Sequence, residues 1–429
     1  MRHNLLVSVE IYIIFLALST AIFIGFTSNY LFRRFKAPDV LILIGLGYLF
    51  GPGMLGVVDE TATTNLGTIT PFVAAMALAI IMFDAGLDLH FRDTVFAFPK
   101  ASIFTLSAFI CSVFVTAVVA STSMGWSLLE GMLLGAIVGG TSGAIVIPLI
   151  SHLKVAKETR IMVTLEAALT DVLVVAVASA LLVVLGTGNG DIASTLSSLL
   201  SSFLVSSAIG FVAGLAWLRL LSLLARQPFS YMITLAALLL VFSLTELLPI
   251  GDGGGSIAAL VFGLVIGNHE YLERKLALKK GRFSCDEEIK GFHTQITFFV
   301  RTFFFVYLGI VVSVMDLGWI DILLAVTIFS SLMLMRWLVT FISDPRGKRN
   351  RWDRLALFFM MPRGLAAAVM ASVLASAPVM SREVSDYILG STTMIILITT
   401  AFASLGTFFI EYSQRRSSRE AKEFGINKK

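Results

Sequence analysis

The sequence predicts an all-α polytopic membrane protein with about 13 transmembrane helices. Of its 429 residues, 57% are hydrophobic and only 14% are charged, whereas soluble domains carry about 25% charged residues. The apolar residues also form continuous blocks instead of amphipathic stripes. A block of about 20 helical residues spans the roughly 30 Å hydrocarbon core of a bilayer, so these blocks are predicted to cross a membrane.

The apolar blocks follow one another with short loops and leave no room for a soluble domain. The first block is too long for a signal peptide and lacks a small-residue cleavage site, so we expect it to be a retained helix. The ninth block is short and rich in glycine. The predicted spans are 8–31, 39–57, 71–89, 98–121, 128–150, 160–186, 195–218, 230–248, 255–268, 293–313, 319–342, 353–377 and 384–411.

The basic residues support this count. The loops after the odd-numbered spans, together with the C-terminal segment, hold 27 of the 32 Lys and Arg residues. Cytoplasmic loops of membrane proteins are enriched in Lys and Arg. The protein is therefore predicted to be a multi-pass protein of the plasma membrane, with its N-terminus outside the cell and its C-terminus in the cytoplasm. Basic residues confined to short loops do not indicate nucleic-acid binding.

Seven of the charged residues inside the predicted spans are taken as charges at membrane depth. A charge at membrane depth costs several kcal/mol unless it is paired or hydrated, so each is a candidate functional residue. They are Asp84, Asp88, Glu166, Asp171, Arg301, Arg336 and Arg363.

Helix geometry sets the depth of the central charges. At ~1.5 Å per residue, Asp171 lies about 16 Å and Glu166 about 9 Å from the inner end of span 6. Arg336 lies about 11 Å deep in span 11, and Arg363 about 15 Å deep in span 12. Glu166 and Arg336 therefore share one level as a predicted ion pair. Asp171 projects about 140° away from Glu166, so we expect it to face a water-filled cavity.

Two spans are interrupted at this same level. Span 5 contains GGTSG (139–143), which places Thr141 and Ser142 about 12–14 Å deep, and span 12 contains MPRG (361–364). Gly and Pro clusters at mid-membrane are tolerated where they line a cavity or are buried in protein. Interrupted helices at corresponding positions of two halves indicate a transporter site. The topology predicts an inverted repeat of spans 1–6 and 8–13, in which helices 5 and 12 cross.

The sequence alone allows two roles for several of these residues. Asp171 is either an ion-binding acid or a structural acid between helices. Arg363 either stands near the site as an accessory charge or stabilises helix ends. Thr141, Ser142 and Thr170 are candidate oxygen ligands but are also common at helix contacts. Asp84 and Asp88 are either an entrance to the site or an interface feature, and Asp84 is a candidate partner of Arg301.

These motifs resemble the monovalent cation–proton antiporter superfamily, on its sodium–proton exchanger (NhaP-like) branch. The resemblance lies in EAALTD (166–171), GGTSGAIVIPL, LMRWL (334–338) and MPRGLAAAVMA, in that order. It implies that Asp171 binds the cation or proton and that Glu166 pairs with Arg336. The chain departs from the family pattern at Thr170, where Asn or Asp is common, and at Ser142, where Asp follows Thr.

The resemblance also implies an organisation. Residues 1–95 and 228–315 would form a dimerisation scaffold, and residues 96–190 and 316–412 the ion-transporting core, followed by a short cytoplasmic tail at 413–429. A homodimer is expected on this ground.

The predicted function is exchange of H+ for a monovalent cation, Na+ or Li+, by alternating access. One carboxylate, Asp171, would carry either the metal ion or the proton, which predicts electroneutral 1:1 exchange without a cofactor. A K+/H+ antiporter is the alternative within the class, and a cation channel is the alternative outside it. An enzyme is not expected, because PIGDGGG (249–255) resembles an intramembrane protease motif only superficially, and its Asp252 lies in a predicted outer loop with no partner aspartate in a matching span.

Overall fold

In the computed structural model, all regular secondary structure of the described residues is helical. Structure is described for residues 19–20, 22–23, 25–27, 39–89, 91–151, 153–187, 192–224, 230–248, 254–275, 287–314, 319–344, 347, 349–376 and 379–423. The described residues within 19–27 are helical, and fifteen helices have described bounds. They are α1 (Asp39–Phe50), α2 (Glu60–Asp88), α3 (Phe91–Met124), α4 (Leu128–Gly139), α5 (Gly143–Ser151), α6 (Lys157–Thr187), α7 (Ile192–Leu224), α8 (Ser230–Glu246), α9 (Gly254–Gly267), α10 (His269–Lys275), α11 (Glu287–Val314), α12 (Trp319–Ile342), α13 (Arg351–Phe359), α14 (Leu365–Ser376) and α15 (Arg382–Glu423).

The helices follow the predicted spans closely. Spans 2 to 13 each overlap one helix or one pair of helices, whereas most of span 1 lies outside the described residues. The total of 13 and the inverted repeat therefore stay predictions. By length and composition alone, six helices in the described part of the chain could cross a membrane, and six apolar helices are shorter.

Several helices are longer than the apolar blocks that predicted them. The predicted span at 71–89 belongs to α2, which already begins at Glu60, and the span at 384–411 belongs to α15, which continues to Glu423. Hydropathy identifies only the segment that matches the hydrocarbon core. Polar residues continue a helix beyond that core at little cost, so the apolar block underestimates the helix.

Spans 5 and 12 are each divided into two helices. The first break covers residues 140–142, between α4 and α5, and the second covers residues 360–364, between α13 and α14. Both breaks are buried. Helix ends leave backbone groups without intrahelical partners, so each break needs partners from elsewhere in the protein.

Several helix pairs outside the breaks approach each other through glycine, and two of them are α1 with α11 and α9 with α2. On α1, a Cβ built at Gly47 would lie 2.8 Å from the carbonyl carbon of Val306 and 2.9 Å from the Cα of Gly309, both on α11. On α9, a Cβ at Gly263 would lie 3.0 Å from the carbonyl carbon of Phe83 on α2. Small residues allow close backbone contact between membrane helices. We refer to α1–α11 and α2–α9 as the glycine-packed pairs.

Candidate ion-binding site

The two breaks touch each other. The backbone N–H of Ser142 donates a 2.8 Å hydrogen bond to the carbonyl oxygen of Pro362. Ser142 also packs directly on Gly364, where a Cβ would collide with the Ser142 side chain. A glycine is therefore required at position 364 for this approach. We refer to this meeting of residues 140–142 and 360–364 as the crossing.

Asp171 lies on α6 beside the crossing. It is 7% exposed, and its carboxylate accepts a hydrogen bond from the backbone N–H of Gly143, the first residue of α5. The N-terminus of a helix carries a partial positive charge and stabilises an anion. The break in span 5 therefore supplies a helix end to a carboxylate buried within the membrane region.

Glu166 and Arg336 form a bidentate ion pair at the same crossing. Arg336 Nη1 bonds Glu166 Oε1, and Arg336 Nη2 lies 2.8 Å from Glu166 Oε2. Both side chains are buried. Arg336 also donates to the carbonyl oxygens of Leu357 (2.7 Å) and Met360 (3.0 Å) at the end of α13, and its guanidinium lies 4.9 Å from the Phe104 ring centroid. One arginine thus neutralises an acid and satisfies the C-terminal end of a broken helix.

Arg363, in the second break, makes the equivalent contacts with the end of α4, the first half of the other broken span. Its Nη1 donates to the carbonyl oxygens of Gly139 (2.9 Å) and Gly140 (2.8 Å) at the end of α4, and lies 3.4 Å from Thr141 Oγ1. Its backbone N–H donates to Thr399 Oγ1 at 3.0 Å. The negative end of a helix dipole favours a cation, so Arg363 stabilises the C-terminus of α4.

Thr141 and Thr170 join α6 to the first break. The Thr141 N–H donates to Thr170 Oγ1 at 2.9 Å, and the Thr170 hydroxyl points back to the carbonyl oxygens of Thr141 (3.2 Å) and Ala167 (3.1 Å). The Thr141 hydroxyl lies 3.3 Å from Glu166 Oε1. Thr170 on α6 therefore bonds the backbone of the break, and the side chain of Thr141, within the break, contacts Glu166 on α6.

The predicted site comprises Asp171, Thr141, Ser142, Thr170, Glu166, Arg336, Arg363 and Asp84, and the structure brings the first seven together. The eighth, Asp84, is half-buried on α2, which packs against α9, α11 and α14. The side chain of Asp88 lies outside the described residues. The structure leaves the roles of all eight residues as proposals.

Sequence reasoning missed the backbone half of this site. The carbonyl groups of Gly139, Gly140, Leu357 and Met360 and the N–H of Gly143 all make contacts that side-chain patterns do not reveal. The Gly and Pro clusters could have predicted these contacts, because a buried helix break leaves carbonyl groups without intrahelical partners. An arginine at the same depth is a suitable donor for them.

Comparison with known proteins identifies the family of the chain. The family model "Sodium/hydrogen exchanger, transmembrane" matches residues 18–410. The chain belongs to the sodium/hydrogen exchanger family. It is therefore an integral multi-pass membrane protein, as its apolar blocks predicted, and its family is one of transporters.

Individual relatives extend the comparison. The chain is 28% identical over 262 residues to the K(+)/H(+) antiporter NhaP of Alkalimonas amylolytica, covering 59% of this chain and 43% of the relative. It is 27% identical over 364 residues to the K(+)/H(+) antiporter NhaP2 of Shewanella sp. (strain MR-4), covering 81% of this chain and 57% of the relative. The matched regions thus span about half the length of these relatives.

The fold is that of a solved exchanger. The sodium proton antiporter MjNhaP1 of Methanocaldococcus jannaschii superposes with a TM-score of 0.77 at 18% identity, covering 94% of this chain and 99% of the other. At this level of identity the similarity establishes the fold alone.

Proposed function

We propose that this protein is a secondary active antiporter that exchanges H+ for a monovalent cation, Na+ or Li+, at Asp171. The observation that supports the proposal is that the two arginines at the crossing bond groups other than Asp171. Arg336 bonds Glu166 and the end of α13, and Arg363 bonds the end of α4. Asp171 is bonded instead by a backbone N–H at the start of α5, which leaves its carboxylate available for a proton or a metal ion.

Competition at one carboxylate is sufficient for exchange. A charged carboxylate is costly at membrane depth. The site is therefore expected to change its access from one side of the membrane to the other only when the charge of Asp171 is neutralised. A bound proton or a bound Na+ each provides that neutralisation, but they exclude one another. If only the two loaded forms convert between inward and outward access, each cation that moves one way is matched by one proton moving the other way. The expected stoichiometry is 1:1 and electroneutral.

The proposed cation ligands are oxygen atoms around Asp171. Hard cations prefer oxygen ligands, and Thr141, Ser142 and Thr170 supply hydroxyl groups at or beside the first break. Thr170 already bonds both backbone groups of Thr141. We therefore assign it a double role, in which it holds the break in place and offers its remaining lone pair to the ion.

The direct test is transport by purified protein in liposomes. A pH-gradient dequenching assay with Na+, Li+ and K+ in turn should show proton movement that depends on at least one of them. Asp171→Asn should abolish the signal. Glu158→Gln is the matched control, because Glu158 is an acid on the same helix whose side chain is 64% exposed. It should transport like the wild type. Cation-dependent proton flux retained by Asp171→Asn would refute the assignment.

K+/H+ exchange is the second candidate. The curated relatives described above are named as K(+)/H(+) antiporters, while the family model and the solved relative are named for sodium. The same panel of cations distinguishes the two. Na+ exchange predicts dequenching at lower Na+ than K+ concentration, and the reverse order identifies a K+ antiporter. A cation channel would instead give conductance without coupled proton movement.

Assembly and orientation are part of the proposal. We expect a homodimer in the cell membrane, joined through residues 1–95 and 228–315, with residues 96–190 and 316–412 as the moving core. Segment 269–292, which we expect on the cytoplasmic side, contains Cys285, one of two cysteines. An impermeant maleimide should therefore label Cys111→Ala protein in inside-out vesicles and not in right-side-out vesicles. Mass measurement of the detergent-solubilised complex tests the dimer.

A further inference from the structure

Two side chains distant in sequence hold the loop between α5 and α6. The N–H of Ala156 donates a 2.8 Å hydrogen bond to Asp353 Oδ1 in the first turn of α13. The N–H of Lys154 donates to Gln414 Oε1 on α15 at 3.2 Å, and Gln414 Nε2 donates back to the Lys154 carbonyl oxygen at 3.0 Å. We refer to these three hydrogen bonds on loop 153–156 as the latch.

The latch uses buried polar groups with matched partners. Asp353 and Gln414 are each 7% exposed, and burying such groups costs free energy unless they are hydrogen-bonded. The side-chain amide of Gln414 bonds both backbone groups of Lys154: its oxygen accepts from the N–H, and its NH₂ group donates to the carbonyl oxygen. Asp353 lies near the N-terminus of α13, where the helix dipole favours a carboxylate. Both side chains are therefore well suited to this loop.

The latched loop joins the two helices that form the Asp171 site. The N-terminal residue of α5, Gly143, bonds Asp171, and its C-terminal residue, Ser151, leads into the loop. The nine-residue helix α5 is about 12 Å long from first to last residue, so the loop lies one short helix away from Gly143. A displacement of the loop therefore moves the Gly143 N–H relative to the carboxylate.

The latch also completes a frame around the site. At its N-terminus, α13 is tied to the loop before α6 by Asp353. At its C-terminus, α13 is tied to α6 by Arg336, which bonds both Met360 and Glu166. The two ties are about 10 Å apart along α13 and about 15 Å apart along α6. A helix fixed at both ends cannot slide or rotate independently of its partner.

We propose that Asp353 and Gln414 are positioning residues for the ion site, which they set by holding loop 153–156 so that α5 keeps its N-terminus on Asp171. The proposal rests on the proposed function, because it assumes that Asp171 binds the cation. Neither side chain touches the ion. Their effect is therefore on how well the site is formed, and it should appear in the cation KM before it appears in the maximal rate.

The test measures KM and maximal rate separately in proteoliposomes, with the cation that the wild type transports. Asp353→Ala and Gln414→Leu should each raise the cation KM about 2- to 10-fold, the factor expected from losing a hydrogen bond, with kcat within about twofold of wild type. Asp353→Asn should stay close to wild type, because its amide oxygen still accepts from Ala156. Gln414→Glu keeps the acceptor but loses the donor, so its KM should lie between those of wild type and Gln414→Leu.

The control is an exposed contact on the same segment. Lys100 and Glu158 form a 2.9 Å ion pair with side-chain exposures of 76% and 64%, and Glu158→Gln should leave KM unchanged. An unchanged KM in folded Asp353→Ala and Gln414→Leu would overturn the proposal, as would a KM raised equally by Asp353→Asn and Asp353→Ala. If Asp353→Ala does not fold, the Gln414 variants decide the question by the same criteria.

The two proposals fail in different ways. If Asp171→Asn still exchanges cations for protons, the proposed function of Asp171 is wrong. If Asp171→Asn is inactive and the Gln414 variants keep the wild-type KM, only the latch is wrong.

Discussion

The crossing and the glycine-packed pairs hold their helices together by opposite means. At the crossing, two arginines, an acid and two threonines bond the ends of broken helices. In the glycine-packed pairs, unbroken helices approach until a Cβ would collide with the opposite backbone. Helices without breaks satisfy their own backbone groups in a membrane, so they can pack by shape alone. Broken helices need charged side chains, and those charges also create a place for an ion.

The first prediction concerns the ion pair at the crossing. Removing one partner of a buried ion pair costs about 3–5 kcal/mol, because the other charge is left uncompensated. Glu166→Gln and Arg336→Gln should therefore reduce the yield of folded protein and lower its thermal stability. Arg336→Gln should be the more damaging, because it also removes donors to Leu357 and Met360. Size-exclusion profiles and melting curves in detergent measure both effects.

The double variant sharpens this prediction. Glu166→Gln combined with Arg336→Gln removes both charges and should be more stable than Arg336→Gln alone. A double variant whose loss equals the sum of the single losses would mean that the two side chains are not energetically coupled.

The glycine-packed pairs should respond to size and not to charge. Gly47→Ala places a methyl group against the α11 backbone and should cost about 1–3 kcal/mol through overpacking. Gly45→Ala on the same helix is the matched control, because nothing lies within 4 Å of its Cβ position. It should be neutral or slightly stabilising. Equal melting temperatures for the two variants would contradict the close packing of α1 on α11.

Thr170 tests the hydrogen bonds that fix the first break. Thr170→Val keeps the shape of the side chain but leaves the buried N–H of Thr141 without its acceptor, at a cost of about 1–3 kcal/mol. We expect lower thermal stability and a raised cation KM. Thr170→Ser keeps the hydroxyl and should restore most of both. A Thr170→Val protein with wild-type KM would show that the break does not shape the ion site.

The smallest expected effect is a dependence of cation affinity on pH. Protons and cations compete for Asp171 in this account, so the apparent KM for the cation should rise as the pH falls, with no change in the rate at saturating cation. Transport rates measured across a matrix of pH values and cation concentrations provide the check. A KM that is constant with pH, combined with a falling maximal rate, would indicate titration of a separate group.

The sequence predicted the charged part of this site and missed the backbone part. Asp171, Glu166, Arg336 and Arg363 could be found because each is a charge inside an apolar block, where helix rise sets the depth. The breaks were visible as Gly and Pro clusters. Which carbonyl groups each arginine bonds depends on how two breaks meet in three dimensions, and no periodicity within one segment contains that information.

The latch shows the same limit more strongly. Asp353 and Gln414 lie in polar segments at the ends of predicted spans, where charged and amide residues are ordinary. Nothing in the sequence distinguishes them from their exposed neighbours. Only the fold brings them to loop 153–156, which lies about 200 residues before Asp353 in the chain.

The most direct test of the central claim is the release of protons when the cation binds. At a pH at which cation-free Asp171 is protonated, purified protein in weakly buffered detergent solution should release about one proton per chain when saturating cation is added, and Asp171→Asn should release none. His293→Phe is the control, because His293 is a buried titratable residue on α11, in a glycine-packed pair, beside Phe83. It should release protons like the wild type. Undiminished release from Asp171→Asn, or none from the wild type, would contradict competition between proton and cation at Asp171.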